Sequence, residues 1–133
     1  LVVLGQQREH GALQPPAPRV QTIRGTEMAT RSQGAGQVQV IRLLPTSLPG
    51  IEMERMILPG AARMSGVPHL RDTKEFLYCL SGEVEVTVSG RRHRVAKGDL
   101  VAFPGDLPHA YRNSSTGNQT ADCISVVVLA PGT

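Results

Sequence analysis

Tryptophan is absent from this chain, and the aromatic residues amount to two Phe and two Tyr in 133 positions. A core of stacked rings is therefore excluded. Val, Leu, Ile and Met must fill the interior, and an aliphatic, β-branched core suits sheets. Long apolar runs are also missing. Nothing approaches the roughly 20 residues that cross a bilayer as a helix, and residues 1–4 are too short for the core of a signal peptide, so the expectation is a soluble protein. Cysteine is scarce: Cys79 and Cys123 each sit in an apolar run. That excludes a disulfide framework and favours two small buried hydrophobes in a reducing, cytoplasmic compartment. Charge of one sign is lacking as well. Fourteen basic residues face eleven acidic ones, a formal net of +3, and the arginines are scattered, which is a weak basis for nucleic-acid binding. The one cluster, Arg91, Arg92 and Arg94 around His93, reads as a turn followed by a solvated strand face.

What is present divides the chain in two. Up to residue 36 it is rich in Gln, Pro, Gly, Ser and Thr, and Gln14-Pro15-Pro16-Ala17-Pro18 cannot lie inside a helix. Residues 1–36 read as a linker or arm, with one short edge strand conceivable at residues 20–24. Residues 37–133 read as a single domain of ordinary size. A first residue of Leu rather than Met reads as a fragment or processed form with sequence missing upstream.

From residue 37 onward, apolar residues fall into short alternating runs separated by Pro and Gly: 37–44, 51–58, 75–80, 83–88, 93–96, 100–103, 109–113 and 121–129. The clearest is Glu83-Val84-Glu85-Val86-Thr87-Val88. Its valines share one face, and Ser89-Gly90 then supplies a tight hairpin. Eight or so short strands without a convincing helix define an all-β sandwich, jelly roll or closed barrel.

Four side chains stand out by type and spacing: His69, Arg71, Glu75 and His109. Period two places Glu75 on one face with Leu77 and Cys79, so an acid enters an apolar interior and needs a partner there. Two imidazoles and one carboxylate from different strands can hold a divalent ion and leave positions open. The same period groups His109 with Tyr111 and Asn113 as polar groups for one cavity. Phe76, Tyr78 and Leu80 should face away, and His10 and His93 read as ordinary histidines.

The segment His69-Leu70-Arg71-Asp72-Thr73-Lys74-Glu75, with Gly82 seven positions after the Glu, resembles the first cupin motif. The segment from Gly98 through Pro104 to His109 and Asn113 resembles the second. The resemblance implies a cupin β-barrel (double-stranded β-helix, or jelly roll) with an irregular N-terminal arm. It also implies one divalent metal ion (Zn, Fe, Ni or Mn) on His69, Glu75 and His109. Two positions depart from the pattern: Arg71 stands where the family has a further metal-binding His, and Asp106 where it has a Gly. Arg71 cannot ligate a cation, so it is expected to neutralise Glu75 or to clamp an anionic ligand, beside Leu77, Cys79, Tyr111 and Asn113 as ligand-binding residues.

A narrower resemblance rests on Leu58-Pro59-Gly60-Ala61, Pro68-His69, Asp106-x-Pro108-His109-x-Tyr111-x-Asn113 and Pro18-Arg19-Val20-Gln21-Thr22-Ile23-Arg24. These are similar to the cupin sensor domain that follows an XRE-type helix-turn-helix in bacterial transcriptional regulators. It implies a homodimer that binds a small-molecule effector, DNA being reached only through a separate upstream domain. The alternative from a different class is a small metal-dependent cupin enzyme of dioxygenase or isomerase type. Arg71 in a ligand's place, and the lack of an obvious acid–base pair, weigh against it.

Overall fold

The computed structural model describes residues 19–35, 37–44 and 48–130. Residues 1–18, most of the expected arm, and residues 131–133 lie outside the described residues. Residues 20–24 form no ladder and lead into one 3₁₀ turn, Gly25–Glu27, where Arg24 N–H donates to Glu27 Oε1 at 3.2 Å.

Among the described residues ten strands follow: β1 (Thr30–Gln33), β2 (Val38–Arg42), β3 (Ile51–Leu58), β4 (Arg63–Ser65), β5 (Thr73–Ser81), β6 (Glu83–Val88), β7 (Arg91–Ala96), β8 (Leu100–Pro104), β9 (His109–Asn113) and β10 (Ala121–Leu129). They form two antiparallel sheets, β1-β2-β3-β10-β5-β8 and β4-β9-β6-β7, so the fold is all-β, a jelly-roll barrel. Each expected run became a strand, four of them with the same bounds.

Two strands were not anticipated. β1 pairs with β2 from Thr30 to Gln33, so the sheet begins inside the stretch read as an arm, and a boundary at residue 37 falls between two paired strands. β4 has only three residues, too few for alternation to be visible.

The core lies between the sheets. Alternation on β6 buries Val84, Val86 and Val88. Facing them are Val38, Val40, Met56, Leu58 and Leu77 of the larger sheet, each at 2% exposure or less. Complete burial of such a side chain is worth about 1.5–3 kcal/mol, which is how a chain with almost no aromatics holds together. Ser89 and Gly90 both take positive φ (47° and 82°) between Val88 and its partner Arg91. This is the two-residue turn whose twist matches the strands it joins.

Candidate metal centre

Strand alternation decides what enters the interior. On β5, Glu75, Leu77 and Cys79 are fully buried, whereas Tyr78 and Leu80 are each 39% exposed on the outer face. β9 turns His109, Tyr111 and Asn113 inward. His69 precedes β5 and is fixed through its backbone, its N–H donating to Gly105 O at 2.9 Å while Gly105 N–H donates to Thr73 O at 2.9 Å.

The two oxygens of Glu75 have different surroundings. Oε2 accepts hydrogen bonds from the Tyr111 hydroxyl and, at 3.0 Å, from the Ser125 hydroxyl. Among the described residues Oε1 has no hydrogen-bond partner, and neither has His109 Nε2, although both atoms are buried. They stand 3.5 Å apart, and His69 Nε2 stands 3.5 Å from the same Oε1. His109 Nδ1 is 2.7 Å from Leu107 O. A carbonyl only accepts, so Nδ1 carries the proton and, in the neutral ring, Nε2 presents a lone pair.

Two lone-pair atoms at 3.5 Å cannot satisfy each other. That separation is close to the roughly 3.4 Å between ligand atoms held tetrahedrally about an ion at ~2.1 Å. All three ligand atoms lie within 4.8 Å of one another. An imidazole tethered to a carbonyl, and a carboxylate held on its other oxygen, are the outer-shell supports that metal sites use. The residues therefore fit a divalent cation. Burial, together with the charge of Glu75, raises the Tyr111 phenol above its ordinary range and keeps it a proton donor.

Gly66 completes the approach to His109. A Cβ built on it would lie 2.2 Å from His109 Nε2 and 2.3 Å from Cδ2, so only hydrogen leaves the imidazole its place. Gly66→Ala should weaken divalent-metal binding at least tenfold, as disturbed supporting groups do. Competition with a chromophoric chelator measures it; equal affinity in the two proteins would mean that His109 swings clear without leaving the group.

The other expected ligand-binding residues are distributed differently. Tyr111 is at the site. Arg71 is not: it is exposed on a turn whose next residue, Asp72, has φ 62°, and among the described residues it makes no ion pair with Glu75. Its side chain is open to solvent. Arg71→His should accordingly leave metal affinity within about twofold, in contrast to the gain expected of a restored inner ligand; a tenfold rise would place residue 71 at the centre after all.

Leu77 belongs to the core. Cys79 and Asn113 lie four residues along their strands from Glu75 and His109, about 13 Å away. The Cys79 thiol donates to Ser81 O at 3.3 Å. Asn113 Nδ2 donates to Leu58 O, Pro59 O and Gln119 O, and its Oδ1 accepts from Ser115 N–H. Asn113 ties loops together through its amide. His93 is exposed, as an ordinary strand histidine.

Two side chains beside the group carried little signal in the sequence. Ser125 on β10 alternates with valines, a weak signal. Arg31 reaches from β1 to form a two-point ion pair with Glu54 (2.7 and 3.2 Å), and it lines a cavity of about 260 Å³ that His69, Tyr111 and Ser125 also line. The arginine bordering the site's cavity is thus Arg31, from a strand hidden in the presumed arm.

A two-sheet jelly roll that brings two imidazoles and a carboxylate together beside a small cavity defines a β-barrel with a group that could hold a metal ion. A cupin-domain family model matches residues 54–127, more than half of the chain, and the chain belongs to the cupin family. The cupin domain of an XRE-family transcriptional regulator from Enterobacter cloacae superposes with a TM-score of 0.63 and 29% identity, over 69% of this chain and 96% of that one. A protein described as a predicted oxalate decarboxylase from Thermotoga maritima gives a TM-score of 0.66 at 23% identity, over 82% and 99%. Quercetin 2,3-dioxygenase of Bacillus subtilis is 38% identical over 45 residues, 34% of this chain; the match spans only 13% of the dioxygenase.

Proposed function

We propose that this chain is the effector-binding cupin domain of a bacterial transcriptional regulator, with a divalent cation on His69, Glu75 and His109 and the effector in the adjoining cavity. The observation that carries this reading is the pair of orphaned buried atoms, Glu75 Oε1 and His109 Nε2, in a group whose third member lines a cavity of about 260 Å³. The likeness to a regulator's cupin domain along almost all of that domain's length supports the regulatory class. When bound, the ion would supply a Lewis-acidic anchor for an oxygen donor. The chain's own residues hold its place: Tyr111 and Ser125 orient Glu75, and Leu107 O fixes the His109 tautomer. A reducing, cytoplasmic setting agrees with two free buried cysteines. DNA would be reached through a separate upstream domain.

The test is a metabolite screen by thermal shift on metal-loaded protein. A binder should raise the melting temperature of wild type by at least about 2 °C and lose that effect in His69→Ala; a hit equally strong in the variant would move effector binding elsewhere. The match to a dioxygenase favours a second reading, a metal-dependent cupin enzyme. Oxygen uptake by metal-loaded protein supplied with a flavonol would establish it, whereas the sensor reading expects none above buffer.

The domain should be a homodimer. The outer face of the six-stranded sheet carries Phe76, Tyr78, Leu100, Ile124 and Val126, with Tyr78 and Leu100 39% and 57% exposed, and an apolar face of this kind supports pairing of two copies. Light scattering at micromolar protein should give twice the chain mass, reverting to monomer in Tyr78→Asp; a monomeric wild type would overturn it.

A further inference from the structure

We propose that Cys79 and Cys123 form a redox modification site, two thiols placed to close a cross-strand disulfide when a hydroperoxide reaches them. The placement follows from register. Cys79 on β5 and Cys123 on β10 are Cα partners in an antiparallel ladder, and both side chains point into the interior with no exposure. Cys79 N–H donates to Asp99 O at 3.1 Å, and Cys79 O accepts from Gly98 N–H at 2.8 Å. Both of its backbone groups are thus turned away from β10, which makes the cysteines a non-hydrogen-bonded pair. Such pairs bring Cα atoms to about 4.5 Å, inside the range of about 4.4–6.8 Å that a disulfide spans.

A bulge supplies the remaining freedom. Asp122 pairs with Ser81 but Cys123 pairs with Cys79, so Leu80 is an extra residue on β5 beside the two thiols. Bulged strands bend and twist locally, the adjustment needed to draw the two Cβ atoms together.

The chemistry balances with one peroxide. One cysteine sulfur attacks a peroxide oxygen; an S–O bond forms, the O–O bond breaks and water leaves. The second sulfur then attacks the resulting sulfenic acid, an S–S bond forms, and the departing hydroxide leaves as a second water with that thiol's proton. Two thiols are oxidised and hydrogen peroxide is reduced to two waters. Burial raises both thiols above their ordinary range, so few thiolates exist at neutral pH and the reaction waits on opening of the strands. The site is slow, on the scale of minutes to hours. Its consequence falls on the centre described above, because β5 and β10 also carry Glu75 and Ser125.

The test uses the full chain exposed to millimolar hydrogen peroxide for several hours, then unfolded, alkylated with iodoacetamide and weighed intact. The expected product is about 2 Da lighter at the mass of a single chain, takes up no alkyl groups and reverts with dithiothreitol. Its melting temperature should be higher by roughly 5 °C. Cys123→Ala should never show the 2 Da loss. Two fully alkylated thiols after the same exposure, or oxygen added to one sulfur without cross-linking, would overturn the proposal, and this wild-type readout stands whether or not the variant folds.

Discussion

Glu75→Gln abolishes divalent-metal binding, a loss of at least about a hundredfold, while leaving the metal-free fold intact. Glu75 is the anionic member of the group, and a neutral amide oxygen is a far poorer ligand for a hard or borderline cation. The substitution keeps size and shape. The amide oxygen can still accept from Tyr111 and Ser125, and the new NH₂ faces Nε2 of His109, where it donates to the lone pair that the carboxylate leaves unsatisfied. Melting in the presence of a strong chelator should therefore show the Glu75→Gln protein no less stable than wild type, while a metal titration separates the two. Retained affinity would mean that the carboxylate is only a structural hydrogen-bond acceptor.

Asn113→Ala does the opposite: it destabilises strongly and leaves the metal centre nearly untouched. The amide is 1% exposed and serves three carbonyls, Leu58 O at 2.9 Å, Pro59 O at 3.1 Å and Gln119 O at 2.8 Å, while its oxygen accepts from Ser115 N–H at 2.8 Å. Truncation takes a partner from each of these four backbone groups, although Pro59 O still accepts from Ala62 N–H at 3.0 Å. Each buried unsatisfied group costs about 1–3 kcal/mol, and water recovers part of it where the loop is open, so the net loss is about 3 kcal/mol. In a chain of this length that lowers the melting temperature by roughly 10 °C. Metal affinity measured below the transition should change less than about threefold, since Asn113 is four residues down β9 from His109. A normal melt with weakened metal binding would return Asn113 to the cavity.

These two residues show what alternation conveys and what it leaves open. Period two correctly placed Glu75, Leu77, Cys79, His109, Tyr111 and Asn113 on the inner face. It gave no position along the barrel axis, so residues near the cavity and residues at the opposite end of the sandwich looked equivalent. Arg71 failed for a different reason. It precedes β5, where strand period does not hold, and it is exposed on a turn beside the left-handed Asp72. Nothing in the composition of residues 19–36 marked Thr30–Gln33 as a strand, because an edge strand with three exposed residues buries too little to be patterned.

Residue order alone is enough to dictate an all-β barrel of alternating strands, the inward set, and a His–Glu–His group capable of holding a cation. Each of these depends on local period and on motif spacing, which a chain carries in its order. Folding in three dimensions adds that Glu75 keeps one oxygen free, that Gly66 makes room for His109, that Arg31 and not Arg71 borders the cavity, and that Cys79 meets Cys123. All four depend on how segments remote in sequence are brought together by sheet order, register and one bulge, and long-range pairing of that kind is set by the packing of the whole core.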